Sequence, residues 1–160
     1  GTNGLTIDAS QNVSFANQLS LGVSGTTIQL KLSAAAETVT IAATAATGTS
    51  NYDVATQSIL YFTSNASANW TLNIRGSSSV TLNSLMSNGQ SITITLLVTQ
   101  GSTAYYNSAV TVDGTSVTPK WSGGSAPSAG NANGVDVYTY TLIKTGSGSF
   151  TVFASQTRYA

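Results

Sequence analysis

The chain contains no cysteine and no histidine among its 160 residues. It therefore has no thiolate nucleophile, no disulfide, no imidazole for acid–base catalysis and none of the usual nitrogen and sulfur ligands of zinc. No stretch of the sequence has the acid-rich spacing of a calcium-binding loop. We expect neither a metal centre nor a cofactor.

Charged residues are also scarce. They make up 6% of the chain, against roughly 25% in ordinary soluble domains, and five acidic residues balance five basic ones. Nucleic acids and anionic lipid surfaces require clustered Lys and Arg, so we expect neither as a partner. The longest apolar runs, such as residues 92–98, are far shorter than the roughly 20 residues that span a bilayer, which predicts no membrane insertion.

The acidic residues occur singly along the sequence. Glycoside hydrolysis normally requires two carboxylates that flank one bond, and nothing in the spacing of these acids suggests such a pair. The many serines have no histidine base to activate them. We therefore predict that the protein is not an enzyme; the acids in question are Asp8, Glu37, Asp53, Asp113 and Asp136.

Hydrophobic residues are plentiful and are arranged in short alternating runs. They make up 41% of the chain, which is enough for a real core. From residue 39 onward about eight β-prone runs are separated by Gly, Asn and Ser turns at intervals of roughly 8–12 residues, a pattern typical of sandwiches and jelly rolls. We predict an all-β, jelly-roll-like antiparallel β-sandwich over residues 33–160, with residues 91–100 as a central strand and residues 80–86 as one or two helical turns.

The segment 110–143 has the most specific local signals. Asp113-Gly114 predicts a type I′ hairpin turn, and Pro119 places the returning strand at a sheet edge because proline cannot donate to a ladder. Residues 122–134 are almost entirely small and polar, which predicts a surface loop. In the strand that follows, valines alternate with Tyr138 and Tyr140, so we expect both of its faces to be covered.

Residues 1–32 form a predicted N-terminal arm. Their apolar residues come in small alternating sets at 5–7, 13–15, 19–23 and 28–32, and each set predicts a very short strand. Such an arm cannot bury its apolar residues alone. It either shares them with identical arms of neighbouring subunits, as a shaft or a strap, or packs on its own sandwich; the pattern does not separate the two.

Aromatic residues are the remaining candidates for a binding site, because aromatic rings pack against the apolar faces of sugars. For aromatics on regular strands we favour a core role. Trp121 differs, since it lies where an edge strand enters a flexible loop. We name Trp121, Tyr105 and Tyr106 as candidate ligand-binding residues.

Several stretches of the sequence resemble the sequences of a known protein family. These are NYDVATQS at 51–58, YFTSNASANWTLNIRG at 61–76, VTQGSTAYYN at 98–107, DGT at 113–115, VTPKW at 117–121, YTYTLIKT at 138–145 and TVFASQT at 151–157. In these motifs the chain, from about residue 33 to its end, resembles virion structural and tail-fibre-like proteins of tailed bacteriophages, especially those of marine cyanophages. The arm looks like the short β repeats of fibre shafts, and such fibres are usually homotrimers.

The resemblance implies a non-enzymatic virion protein, with no catalytic residues to carry over. We expect a fibre or fibre-knob component located in the virion, whose partners are other copies of itself as a homotrimer, other virion proteins, and a host surface glycan or protein. The contact loops would be 101–107 and 122–134. A capsid decoration protein and a free carbohydrate-binding module are the alternatives, and the sequence leaves the receptor and the position in the particle open.

Overall fold

The computed structural model describes residues 5–7, 9–10, 13–15 and 34–160. The chain divides into two compact units, Gly1–Ala36 and Glu37–Ala160. In the first unit, β1 (Leu5–Ile7) pairs antiparallel with β2 (Val13–Phe15), which confirms two of the predicted short strands. The other two predicted strands of the arm lie outside the described residues.

Strands are the main secondary structure of the second unit. Its one α-helix has a single turn, as the sequence pattern at residues 80–86 predicts. In chain order the elements are β3 (Val39–Ala45), β4 (Gly48–Asp53), β5 (Ile59–Ser64), β6 (Trp70–Arg75), α1 (Leu82–Leu85), β7 (Ser91–Thr99), β8 (Asn107–Val112), β9 (Thr115–Val117), β10 (Lys120–Trp121), β11 (Val135–Gly146) and β12 (Ser149–Tyr159).

These strands form two sheets that enclose one core. The larger sheet has the order β10-β12-β11-β7-β5-β3, and the smaller one has the order β4-β6-β8-β9. Side chains from both sheets meet between them: the Trp70 ring on β6 lies edge-on to the Tyr138 ring on β11, with centroids 5.7 Å apart. The predicted all-β sandwich is confirmed, and β7 lies centrally in its sheet, as its alternating pattern indicates.

The strand pairing differs from the antiparallel arrangement expected from the sequence. β3, β5 and β7 pair parallel in the larger sheet, β4, β6 and β8 pair parallel in the smaller one, and β10 pairs parallel with β12. The reason is that from β3 to β8 consecutive strands alternate between the sheets. Between two neighbouring strands of one sheet, the chain forms a strand of the opposite sheet and then returns in the same direction. Parallel pairing therefore needs no crossover helix. A jelly roll is built from antiparallel pairs, so these parallel pairs correct that part of the prediction.

The local turn predictions are confirmed. Asp113 and Gly114 both have positive φ, 50° and 79°, as a type I′ turn requires. β9 ends before Pro119 and is an edge strand of the smaller sheet, whereas β10 begins directly after it at the edge of the larger sheet. Pro119 therefore lies where the chain passes from one sheet to the other.

Strand β11 supplies one fully buried face and one half-buried face. Tyr138 and Tyr140 have no exposed surface, whereas Val135 and Val137 on the opposite face are only half-buried. The expectation that both faces are covered therefore holds for the inner face alone. The same alternation places Asp136 and Lys144 on the inner face, one near each end of the strand.

Candidate functional site

A cleft of about 280 Å³ lies at the corner where the edges of the two sheets meet. One wall comes from β8 and β9, and the other comes from Trp121 and the loop that follows it. Every lining residue is uncharged. They are Asn107, Ser108, Ala109, Val110, Ser116, Val117, Thr118, Pro119, Trp121, Ala126 and Pro127. We call this cavity the Trp121 cleft.

The indole of Trp121 is held in a fixed orientation. Trp121 pairs with Ala154 of β12, and its ring meets the ring of Tyr140 edge-on, with centroids 5.9 Å apart and an interplanar angle of 73°. Among the described residues, no group accepts a hydrogen bond from its ring nitrogen, and this nitrogen is not buried. The indole N–H can therefore donate to a ligand, beside a partly exposed aromatic ring.

Asn107 anchors the inner end of the cleft and is 2% exposed. Its Nδ2 donates to the carbonyl oxygens of Trp70 and Ala109, at 3.1 and 2.8 Å, and its Oδ1 accepts from the Tyr140 hydroxyl at 2.9 Å. These bonds use the amide group within the protein. Asn107 therefore shapes the cleft and fixes Tyr140, which in turn supports Trp121.

The other two candidate residues lie outside the Trp121 cleft. Tyr105 packs against the core, and its backbone exchanges two hydrogen bonds with the Gln100 side chain, at 2.7 and 2.9 Å. Tyr106 donates its backbone N–H to Asn69 Oδ1 at 3.1 Å. Of the three predicted residues, only Trp121 lines this cavity. The two predicted contact loops both reach it, through Asn107 of loop 101–107 and through residues 126 and 127 of loop 122–134.

Sequence reasoning missed a buried polar cluster beneath the two predicted contact loops. Asp136 has no exposed surface, and its Oδ2 accepts from Gln100 Nε2 at 2.9 Å and from the Asn131 backbone N–H at 3.1 Å. Its Oδ1 has no partner within the described part of the chain, and burial raises the pKa of Asp136. Because Gln100 also holds Tyr105, this cluster ties loop 101–107 to loop 122–134.

The remaining acids with described side chains are Asp53, Asp113 and Glu37. Asp53 forms an ion pair with Arg75 at 2.6 Å. Asp113 accepts the backbone N–H groups of Leu82 and Asn83, at 2.7 and 2.9 Å, at the start of α1. Glu37 is exposed, and the side chain of Asp8 lies outside the described residues. Three of the acids therefore hold elements of the fold together.

Residues 34–160 and the short described pieces of the arm contain no group of three or more His, Cys, Asp or Glu that could hold a metal ion. In the same part of the chain, no helix has the length and apolar character needed to cross a membrane.

Comparison of the chain with protein-family models, with curated proteins and with solved structures finds no match.

Proposed function

We propose that this protein is a non-enzymatic structural and adhesive component of a bacteriophage virion, a fibre or fibre-knob protein that attaches to the host surface through the Trp121 cleft. The observation that carries the proposal is the chemistry of the cleft. It combines a fixed indole ring, an indole N–H that has no acceptor among the described residues, prolines, and the hydroxyl groups of Ser108, Ser116 and Thr118, and no lining residue is charged.

This chemistry fits an uncharged glycan. A pyranose ring presents an apolar C–H face, which packs against an aromatic ring, and hydroxyl groups at its rim, which exchange hydrogen bonds with side-chain hydroxyls. A charged ligand would find no opposite charge in the lining. A neutral surface sugar of the host cell is therefore the favoured receptor class.

The virion assignment is supported by the sequence motifs that resemble phage structural proteins and by the division of the chain into two units. The β1–β2 hairpin is a two-stranded sheet of three-residue strands, and a two-stranded hairpin is marginally stable by itself. Assembly with the arms of other copies would stabilise it. We therefore propose a homotrimer that contacts other virion proteins in the particle.

A glycan-binding experiment tests the role of Trp121. The full chain, Trp121→Ala and Trp121→Phe are compared on an array of neutral bacterial surface glycans, with Phe153→Ala as the matched control. Phe153 is also an aromatic residue of the larger sheet, on β12 next to β10, is 44% exposed, and does not line the cleft. We expect Trp121→Ala to bind at least about tenfold more weakly, Trp121→Phe to retain part of the affinity, and Phe153→Ala to match the parent.

Equal binding by the parent and Trp121→Ala would contradict the proposed contact surface. Thermal melting of each variant separates lost binding from lost folding, because Trp121 also supports Tyr140.

Light scattering tests the assembly. We expect a trimer for the full chain and a smaller species for a chain that lacks residues 1–32. A full chain that is monomeric and binds sugar would favour a free carbohydrate-binding module instead. Antibody labelling of particles in electron micrographs would distinguish a fibre from a capsid decoration protein.

A further inference from the structure

A second cavity, of about 330 Å³, lies at the end of β6 beside the β8–β9 turn. Its walls are Asn73 and Arg75 of β6, the turn residues Asp113 and Gly114, and the connection 77–81. It shares no lining residue with the Trp121 cleft. We call it the Arg75 pocket.

Arg75 brings oriented hydrogen-bond donors to this pocket. Its Nε donates to Asp53 Oδ1 at 2.6 Å and its Nη2 donates to Asp53 Oδ2 at 3.4 Å, so the guanidinium is held side-on against the carboxylate. A guanidinium has five N–H groups, and this ion pair uses two of them. The side chain is 25% exposed, which leaves the outer end of the fork able to donate to a ligand.

Asp113 brings oriented acceptors to the same pocket. Each carboxylate oxygen accepts one backbone N–H from the first turn of α1, at 2.7 and 2.9 Å. An ionised carboxylate has about four acceptor positions, so each oxygen can accept a further hydrogen bond. The Asp113 backbone is fixed by its turn, at φ 50°, and its carboxylate is fixed by the helix.

The serine-rich wall of the pocket is preformed. Ser77 Oγ accepts the backbone N–H groups of Ser79 and Val80, at 3.2 and 3.1 Å, and the Ser77 N–H donates to the Val80 carbonyl at 2.8 Å. Gly76 has no room for a side chain, because a Cβ there would lie 2.6 Å from the Val80 carbonyl oxygen. A wall that needs no reordering on binding lowers the entropic cost of association.

The charges of the pocket favour a neutral ligand. The carboxylate of Asp113 repels an anion, the guanidinium of Arg75 repels a cation, and Asp53 already offsets the charge of Arg75. A hydroxyl group satisfies both neighbours, since it can accept from Arg75 and donate to Asp113. A second, adjacent hydroxyl can bond to the serine hydroxyls, while the exposed Val80 side chain, 39% accessible, contacts the C–H groups between them.

We propose that the Arg75 pocket binds a neutral sugar or polyol through a pair of adjacent hydroxyl groups. This site is separate from the Trp121 cleft and does not depend on the function proposed for it.

The test is a titration of the ¹⁵N-labelled full chain with methyl α-D-mannopyranoside and methyl β-D-galactopyranoside, followed by amide NMR shifts. Sodium sulfate is titrated in parallel as the anion probe. We expect at least one of the two sugars to shift the amides of Ser79, Val80 and Gly114, with saturation in the millimolar range. The Trp121 indole N–H signal reports separately on the other cleft.

Arg75→Gln removes the guanidinium group. It should weaken the sugar binding that these amides report at least about tenfold, because hydrogen bonds from a charged donor are lost. Arg158→Gln is the matched control, because Arg158 is an exposed arginine whose Nη2 donates to the Ala129 carbonyl at 2.8 Å, and it should bind as the parent does. Ser78→Tyr covers the pocket without touching the Arg75–Asp53 pair and should also abolish the shifts, which guards against misfolding of Arg75→Gln.

The inference is overturned if neither sugar shifts the three amides, if Arg75→Gln and Ser78→Tyr leave the shifts unchanged, or if sulfate binds there in preference to the sugars. Shifts confined to the Trp121 indole would overturn it and leave the proposed function standing. Shifts confined to the Arg75 pocket would support the inference and give no support to binding at the Trp121 cleft.

Discussion

Lys144 offers the sharpest test of how this chain uses its few charges. The side chain is buried on the inner face of β11, near the C-terminal end of the strand. Its Nζ donates to the carbonyl oxygens of Asn83 and Met86, at 2.5 and 2.8 Å. These are carbonyl groups of α1 and of the residue that ends it, which a single-turn helix cannot satisfy internally. Lys144→Met keeps the aliphatic part of the side chain and removes the ammonium donor.

The expected loss in the free energy of unfolding follows from the two lost hydrogen bonds. A hydrogen bond from a charged donor contributes about 1.5–3 kcal/mol, so two of them give an upper range of about 3–6 kcal/mol. Methionine recovers part of this, because the folded state no longer has to bury an ammonium group. We expect a net loss of about 3 kcal/mol in the free energy of unfolding, or about 10 °C in Tm for a domain of this size.

Urea denaturation followed by tryptophan fluorescence measures this loss, with Lys120→Met as the matched control. Lys120 is exposed, and its Nζ lies 5.6 Å from the centroid of the Phe153 ring, a contact that contributes about 0.5–1 kcal/mol at an exposed site. If Lys144→Met unfolds within about 1 kcal/mol of the parent, or if both variants lose the same free energy, Lys144 does not act as the cap of α1.

Three further predictions concern the loops and turns. Burial raises the pKa of Asp136 in the folded state, so its contribution to stability is fully present below the unfolded pKa and is lost as pH rises through the folded pKa. Asp136→Asn should remove this loss of stability at rising pH. A difference in unfolding free energy between the variant and the parent that stays constant with pH would contradict the prediction. Asp113→Ala loses both bonds to α1 and places alanine at a positive φ, which should cost about 2–3 kcal/mol in urea unfolding, whereas Asp113→Asn should cost less. Gly130→Ala would place a Cβ 2.2 Å from the Tyr105 carbonyl oxygen, so it should destabilise the protein by about 1–3 kcal/mol and speed proteolysis in loop 122–134; parent-like cleavage would contradict this.

The strands and turns could be predicted because their signals are local. Alternation of apolar and polar residues indicates which residues of a strand share a face. It correctly predicted the buried face of β7, whereas for β11 it predicted two covered faces and only the inner one is buried. The Asp113-Gly114 turn and the edge position of Pro119 follow from backbone chemistry alone. Such signals indicate faces and ends, but they carry no information about which strand pairs with which.

The parallel topology could not be predicted for that reason. Asp53 and Arg75 are 22 positions apart in the sequence, and only the parallel register of β4 and β6 sets them opposite each other. The Arg75 pocket depends on this pairing, and the Trp121 cleft depends on the meeting of two sheet edges. Tyr105 and Tyr106 shared the aromatic signal of Trp121, yet their positions after β7 place them outside the cleft.

The burial of Asp136 and Lys144, in contrast, was available in the sequence. Both share the period-two register of Tyr138, Tyr140 and Leu142, so the alternation that buries the tyrosines also buries the two charges. Buried charges are costly unless they are hydrogen-bonded. An acid and a base in register with a buried row therefore predict polar partners at the two ends of the core.

This use of charge connects the fold to the proposed contacts. Asp136 holds the loops at one end of β11, Lys144 holds α1 at the other, and Asp113 holds the same helix from the smaller sheet. None of these three residues lines the Trp121 cleft, whose lining residues are all uncharged. The recognition that we propose for this cleft would therefore come from shape, aromatic surface and neutral hydrogen bonds, which are the interactions that an uncharged sugar offers in return.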